Sequence, residues 1–209
     1  MILFIIHFII LIFSVIIHEI SHGFVADLLG DPTARISKRL TLNPIPHIDP
    51  LMTLAIPLLL IMSGSHVVFG AAKPVPVDPF NFREPKKDLA LTAVSGPIAN
   101  LLIAFCASLI LRLYLNYAGN TNIDLFFAVI VRYIVELNVF LAVFNLLPIP
   151  PMDGFKFVGG ILPDNLASEW FSLERYGMVL LFILLFAFPS VINQFVFPVS
   201  TTIINLMLH

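Results

Sequence analysis

Residues 1–25 read MILFIIHFIILIFSVIIHEISHGFV. Apart from His7, Ser14 and the cluster from His18 to His22, the run is almost wholly apolar. At about 1.5 Å of helical rise per residue it is long enough to cross a hydrocarbon layer of about 30 Å. It has no basic amino-terminal region and no small-residue cleavage site, and its apolar stretch is too long for a signal peptide, so it is expected to be retained as the first span. Polar groups inside such a span are costly. The five residues His18-Glu19-Ile20-Ser21-His22 therefore carry the functional question, and the apolar residues around them carry the fold.

The rest of the chain has the same character. Hydrophobic residues make up 59% of the 209 and charged residues 11%, and the mean hydropathy is +1.00. A soluble domain carries about 25% charged residues. With its apolar residues gathered into long runs, this chain reads as an all-α polytopic membrane protein embedded in a lipid bilayer. A net charge of -2 and the lack of any basic run exclude nucleic acid as a partner, because binding there needs a concentrated positive face. Cys106 is the single cysteine, so neither an internal disulfide nor a cysteine metal cluster can form.

Further spans are expected over Leu89 to Leu111, Leu125 to Leu147 and Gly177 to Phe188 with a continuation to Ile192. Arg112, Tyr114 and Tyr117 supply the basic and aromatic residues that favour a membrane interface. Asp27 to Pro50 reads as a loop outside the lipid with short strands. Leu51 to Met62 is apolar but short and contains Pro57; it runs through Ser63 to Gly70 into a second basic loop, and the sequence leaves open whether it spans or re-enters. Phe195 to His209 carries no assignment. The expected architecture is four to six transmembrane or re-entrant helices, with short strand-like segments in the cytoplasmic-side loops, forming a single domain over residues 1–209 without a soluble appendage. Placing the Asp27 to Pro50 loop in the cytoplasm puts nine of the eleven basic residues on that side and leaves only Arg112 and Arg132 opposite. Basic residues on both sides of Leu51 to Met62 then favour a re-entrant element.

His18 and His22 lie four residues apart, one helical turn, so their imidazoles share a face and can share a metal ion. Glu19 is turned about 60° from His22 and can reach the same ion through a bound water. Neutral imidazole suits zinc, and three protein ligands leave a fourth position for water. Zinc lowers the pKa of that water to about 7, which lets a carboxylate take its proton. Among carboxylates beside a long apolar run, Asp153 in NLLPIPPMDG (residues 145–154) is the outstanding third ligand.

HEISH in a first span followed late in the chain by NLLPIPPMDG resembles the site-2 protease family of intramembrane zinc metalloproteases. GDPTARISKRLTLNPIPHIDP (residues 30–50), AAKPVPVDP (71–79) and SGPIAN (95–100) are similar to the family's prokaryotic members as well. The resemblance implies zinc (Zn2+) held by His18, His22 and Asp153, Glu19 as the catalytic carboxylate, and Asn145 as a residue that engages substrate. It also implies a transmembrane protein or peptide as substrate and a prokaryotic cytoplasmic membrane as the setting. The charge pattern turns the active site toward the cytoplasmic side, with His18 about 13 Å below Asp27 at the helical rise per residue. No stretch is long or polar enough for the PDZ or paired CBS domains that some relatives carry, so a minimal form is expected.

The prolines from Pro148 to Pro151 break a helix and free its carbonyls, which lipid tolerates only beside protein or water, so they mark a cavity wall. The strand-prone stretch Lys73 to Val77 could hold a substrate extended by edge pairing. Asn100 is balanced between bordering the substrate channel and plain helix packing, with Gly96 and Pro97 beside it. His7 reads as a packing histidine, Arg132 with Glu136 as a structural ion pair, and His47 with Asp49 as solvated loop residues. A metal-ion transporter is the rival from another class. It would need no Glu19 outside the ligand set, and the inverted repeats expected of it are absent from the sequence. A catalytically inactive scaffold with the same fold is the third reading.

Overall fold

The computed structural model describes residues 2–64, 70–118 and 125–209. The order is α1 (Ile2–Leu29), α2 (Thr33–Ile36), a π-helical turn (Pro50–Ala55) leading into α3 (Ile56–Met62), α4 (Pro85–Ala118), α5 (Leu125–Asn145), α6 (Asp153–Ile161), α7 (Asp164–Ser172), α8 (Gly177–Ala187), α9 (Pro189–Val191) and α10 (Phe197–Leu208). Five helical stretches are long and apolar enough to cross a membrane: Ile2–Leu29, Pro85–Tyr117, Leu125–Asn145, Asp164–Ala187 and Pro189–Leu208. Large apolar side chains such as Ile2, Phe4 and Leu206 are widely exposed on their outer faces, the arrangement hydrocarbon favours and water penalises. The protein is an all-α polytopic membrane protein.

The long helix α4 is the centre of the bundle and packs against α1, α5 and α6. Pro85 occupies its first turn, and the Asp88 side chain reaches back to accept from the Glu84 N–H at 2.9 Å, satisfying an otherwise unpaired donor. Away from its polar residues, α4 meets α5 through Ala104, Ala107 and Leu111 against Val131, Val135 and Val139, with α10 closing the cluster. Small residues on α4 bring the backbones close, which substitutes in lipid for a hydrophobic driving force.

Gly30, at φ 116, ends α1, and the Asp31 N–H returns to Ala26 O at 2.9 Å. Asp31 is fully buried and accepts from the Thr33 N–H and hydroxyl and from Asn81 with one oxygen, and from the Asp78 N–H at 2.7 Å with the other. It ties the loop after α1 to the segment entering α4.

Several expectations change. No strand occurs among the described residues: the Asp27 to Pro50 loop holds α2 and a 3-10 turn (Ile45–His47), and Lys73 to Val77 is extended without a partner strand. Pro74, Pro76 and Pro79 remove the donors a ladder needs, and the neighbouring N–H groups bond elsewhere. His47 is buried rather than solvated, its Nε2 donating to Thr41 O at 2.9 Å. Asp49 caps the π turn by accepting from Leu51 and Met52 N–H. Pro50 to Met62 forms a helix too short to cross about 30 Å of hydrocarbon. Of the Ser63 to Gly70 connection, residues 65–69 lie outside the described residues. The helix expected from Gly177 begins there as α8, but α7 and a 3-10 turn (Leu173–Tyr176) precede it in one helical stretch from Asp164, and it ends before Phe188, where Pro189 cannot donate to the preceding turn. The tail that the sequence left unassigned is helical.

Other readings agree with the fold. His7 stacks on Tyr133 with ring centroids 3.7 Å apart, and Arg132 pairs with Glu136 at 2.7 Å.

Candidate metal centre

Helix α1 carries His18 and His22 on its buried face, with their rings edge to face at 4.6 Å and their Nε2 atoms 3.0 Å apart. Asp153 arrives from the other end of the chain as the first residue of α6, where the positive end of the helix dipole favours a carboxylate. Its Oδ2 lies 3.0 Å from His18 Nε2 and 3.3 Å from His22 Nε2. Gly154 permits this approach: a Cβ there would stand 2.1 Å from Leu146 O, so any side chain would push α6 away from the end of α5.

The three donor atoms lie within 4.8 Å of one another and are the residues' only grouping of this kind among those described. Tetrahedral coordination at about 2.0–2.1 Å separates neighbouring donors by about 3.3 Å, close to the 3.0, 3.0 and 3.3 Å found here. The other nitrogen of each imidazole is engaged by protein. His18 Nδ1 donates to Asn100 Oδ1 at 2.6 Å, and His22 Nδ1 donates to Thr92 O at 2.8 Å. Those bonds fix the tautomer that leaves each Nε2 lone pair facing inward, as a metal ligand requires. The donor set and its supports fit zinc.

Gly96 on α4 lies against both rings. A Cβ at that position would come within 2.5 Å of His22 Nε2 and 2.6 Å of His18 Cε1, so α4 can press on α1 at this level only with a glycine. The motif SGPIAN thus serves the histidines twice, through Gly96 and through Asn100. Sequence reading weighed Asn100 as channel lining or packing and missed its bond to His18; the signal available was an asparagine four residues after a glycine, one turn along a membrane helix. Thr92 acts through a backbone carbonyl, which leaves no signature in side-chain identity.

Glu19 stands outside the ligand group. Its Oε2 accepts from the Val75 N–H at 2.8 Å, tying α1 to the extended segment before α4. Glu19, His18, His22 and Asp153 share one cavity of about 600 Å³ whose walls include Ala71, Ala72, Val75, Phe144 and Leu181, with Lys156 and Glu174 also on its lining. Asn145, at the end of α5, lines the same cavity, and its Nδ2 donates to Leu141 O at 2.9 Å. Pro151 and Met152 form part of the wall, as the proline run suggested.

The sequence is 37% identical over 185 residues to YwhC of Bacillus subtilis (strain 168), a protein named "Putative zinc metalloprotease", with 86% of this chain and 78% of the relative covered. Rip2 of Mycolicibacterium smegmatis, named in the same words, is 28% identical over 172 residues, covering 82% of this chain and 63% of its own. Rip2 of Mycobacterium tuberculosis (strain H37Rv) is 27% identical over 180 residues, covering 83% and 64%. The chain therefore spans just under two thirds of the two Rip2 proteins. No family model and no solved structure matches it.

Proposed function

The chain belongs to the site-2 protease family of zinc metalloproteases, and from that premise we propose that it hydrolyses peptide bonds within or near transmembrane segments of other proteins, with zinc held by His18, His22 and Asp153 and with Glu19 as general base. The observation that carries this reading is the meeting of three buried donor atoms, brought together from residues 135 positions apart, beside a carboxylate that is not one of them but opens onto the same cavity. A transit site for ions would have no use for that fourth group.

Zinc, when bound, supplies a Lewis acid that polarises the scissile carbonyl and acidifies a water. Glu19 takes the proton of that water as its oxygen attacks the carbonyl carbon, and delivers it to the amine nitrogen as the carbon–nitrogen bond breaks. The Val75 N–H holds the Glu19 carboxylate in place by donating to one oxygen, leaving the other for proton transfer. The bonds from their Nδ1 atoms to Asn100 and Thr92 hold His18 and His22 with Nε2 turned toward Asp153. Asn145, at the cavity wall, engages the substrate backbone.

A helical substrate shields its own peptide bonds, so it must be held extended. The segment Lys73 to Val77 and Ala72 just before it run along the cavity and pair with the unwound substrate through groups their own contacts leave over, such as the Ala72 N–H. The surrounding membrane is the prokaryotic cytoplasmic membrane, with the centre toward the cytoplasm, in line with the distribution of basic residues and with bacterial relatives.

The test is zinc content together with cleavage of a panel of model membrane substrates by protein purified in detergent or lipid. Wild type is expected to cut, Glu19→Gln to keep zinc and lose cleavage, and Asp153→Ala to lose zinc. Cleavage by Glu19→Gln at the wild-type rate would overturn the assigned mechanism.

A further inference from the structure

Three polar side chains with no part in the reaction lie buried at the middle of the bundle, one on each of its central helices: Ser14 on α1, Asn100 on α4 and Asn138 on α5. Asn100 and Asn138 are wholly buried. Their bonds form a directed chain. Asn100 Oδ1 accepts from His18 Nδ1 at 2.6 Å, while Asn100 Nδ2 donates to Asn138 Oδ1 at 2.8 Å. Asn138 Nδ2 in turn donates to Ser14 Oγ at 3.0 Å and to Ile134 O at 2.9 Å.

An amide has two similar faces, and rotating it by half a turn exchanges acceptor for donor. If Asn100 turned over, an NH2 group would meet His18 Nδ1, and the proton would have to move to Nε2, which is the atom that faces Asp153. What opposes this is chiefly Asn138, which offers an oxygen to Asn100 at 2.8 Å where the other acceptor, Ser14 O, stands at 3.4 Å; Asn138 is itself held by two acceptors on its nitrogen, one of them the backbone carbonyl of Ile134, which cannot change role. Two helix carbonyls, Ile134 O on α5 and, at longer range, Ser14 O on α1, thus set the direction of the bonds up to the histidine.

We infer that Asn138, acting through Asn100 and braced by Ser14, is a positioning residue that locks His18 in its metal-binding tautomer. The inference rests on the zinc reading of the site. Partners one step removed from a ligand typically alter metal affinity by about 10–100-fold when lost. Asn138 is a further step away, yet it acts through an amide with one other side-chain constraint of its own, so a loss at the lower end of that range is expected.

The experiment is zinc affinity by chelator competition on the full chain in detergent, with monodisperse elution and helical circular dichroism as the check on folding. Asn138→Leu, close in volume and apolar, is expected to weaken zinc about tenfold. Asn138→Asp keeps an oxygen facing Asn100 in either protonation state and is expected to stay within about threefold of wild type, while Ser14→Ala, which leaves the Ile134 bond, weakens zinc by about threefold. A merely structural role gives the reverse order, since leucine suits a membrane core and a buried carboxyl does not. In an Asn100→Ala background Asn138→Leu should have no further effect. Folded Asn138→Leu with wild-type affinity, an equal loss in the Asn100→Ala background, or Asn138→Asp weaker than Asn138→Leu would each overturn the inference. Wild type that bound no zinc at all would overturn the metal reading, and this one with it.

Discussion

At the residue scale, a single hydrogen atom on Gly96 lets two helices meet at the metal centre. Gly96→Ala places a methyl group 2.5 Å from His22 Nε2, and neither the ring nor the α4 backbone can yield without moving His18 or His22. Overpacking of this kind costs about 1–3 kcal/mol, and the expected result is at least about a tenfold loss of zinc affinity by chelator competition while the helical content stays. Outside the spans, burial pushes the Asp31 carboxyl up, but bonds from the Thr33 hydroxyl, the Asp78 N–H, Asn81 and the Thr33 N–H outweigh it and hold the group below its ordinary range. A depressed folded value means that the stabilisation is complete above the unfolded carboxyl's pKa of about 4 and is lost as pH falls through the folded value. Asp31→Asn should therefore lower thermal stability at neutral pH by about 1.5–3 kcal/mol, the worth of bonds to a charged group. In melts taken down to about pH 3, the advantage of wild type should shrink below about pH 4; a gap that stayed constant with pH would refute the role. His18 and His22 were legible in the sequence through residue type and helical spacing, and Asp153 as a carboxylate beside a long apolar run. Asp31 and Thr92 were not, since a capping carboxylate in a loop has no period and a carbonyl belongs to every residue.

At the element scale, the extended segment before α4 holds the site from the side opposite α6. Its N–H groups alternate in use: Ala71 donates to Met52 O at 3.2 Å, Lys73 to His47 O at 2.8 Å and Val75 to Glu19 at 2.8 Å. Arg39 holds the Lys73 carbonyl at 2.8 Å, and the Thr53 hydroxyl donates to Ala71 O at 2.7 Å. The Ala72 N–H, between two used donors, points the other way by the period of an extended chain. Ala72→Pro deletes that donor, and the expected outcome is a loss of about fivefold in kcat/KM with zinc content unchanged, the size of one hydrogen bond. Cleavage at the wild-type rate would mean that substrate does not pair here. The sequence marked this segment as extended but promised a strand. Alternating valines favour the extended form whatever lies alongside, whereas a ladder needs donors that Pro74 and Pro76 lack and a partner that lies far away in sequence. The long helices were legible from their apolar length alone. Their ends were less so: α4 starts at Pro85, four residues before the expected Leu89, because Pro85 and the Asp88 cap extend it past its apolar run.

At the scale of the whole molecule, five stretches could cross a bilayer by length and composition, but contacts decide which of them run from end to end. Tyr114 against Phe127 marks one end of the bundle, and His22 against Thr92 lies toward the other. Asp164–Ala187 starts at Lys86, on the metal side, through an ion pair of 2.5 Å; it passes Phe155 by the Trp170 indole at 2.8 Å and leads into Phe188 beside Pro148 and Pro150. Both of its ends thus lie at the metal side. Pro189–Leu208 starts there and runs away from it: Phe197 meets Phe140 at 5.7 Å near mid-depth, and Leu206 O accepts from Arg112 at 3.2 Å near the far end. Four stretches therefore run the length of the bundle, and Ile2 and Leu208 lie at the same end, with Arg112 and Arg132 and away from the other nine basic residues. With the metal side toward the cytoplasm, as proposed above, and in a Cys106→Ser background, a membrane-impermeant thiol reagent added to intact cells should label His209→Cys, and it should reach Arg175→Cys only after the cells are opened. Were α8 instead a crossing, position 209 would share the cytoplasmic side with position 175, and both cysteines would be protected in intact cells. The positive-inside count does not separate the two arrangements, because no Lys or Arg follows Arg175. The labelling rests on the packing of α10 against α4 and α5 and on the proposed orientation of the bundle, so it tests the topology without any assay for zinc or cleavage.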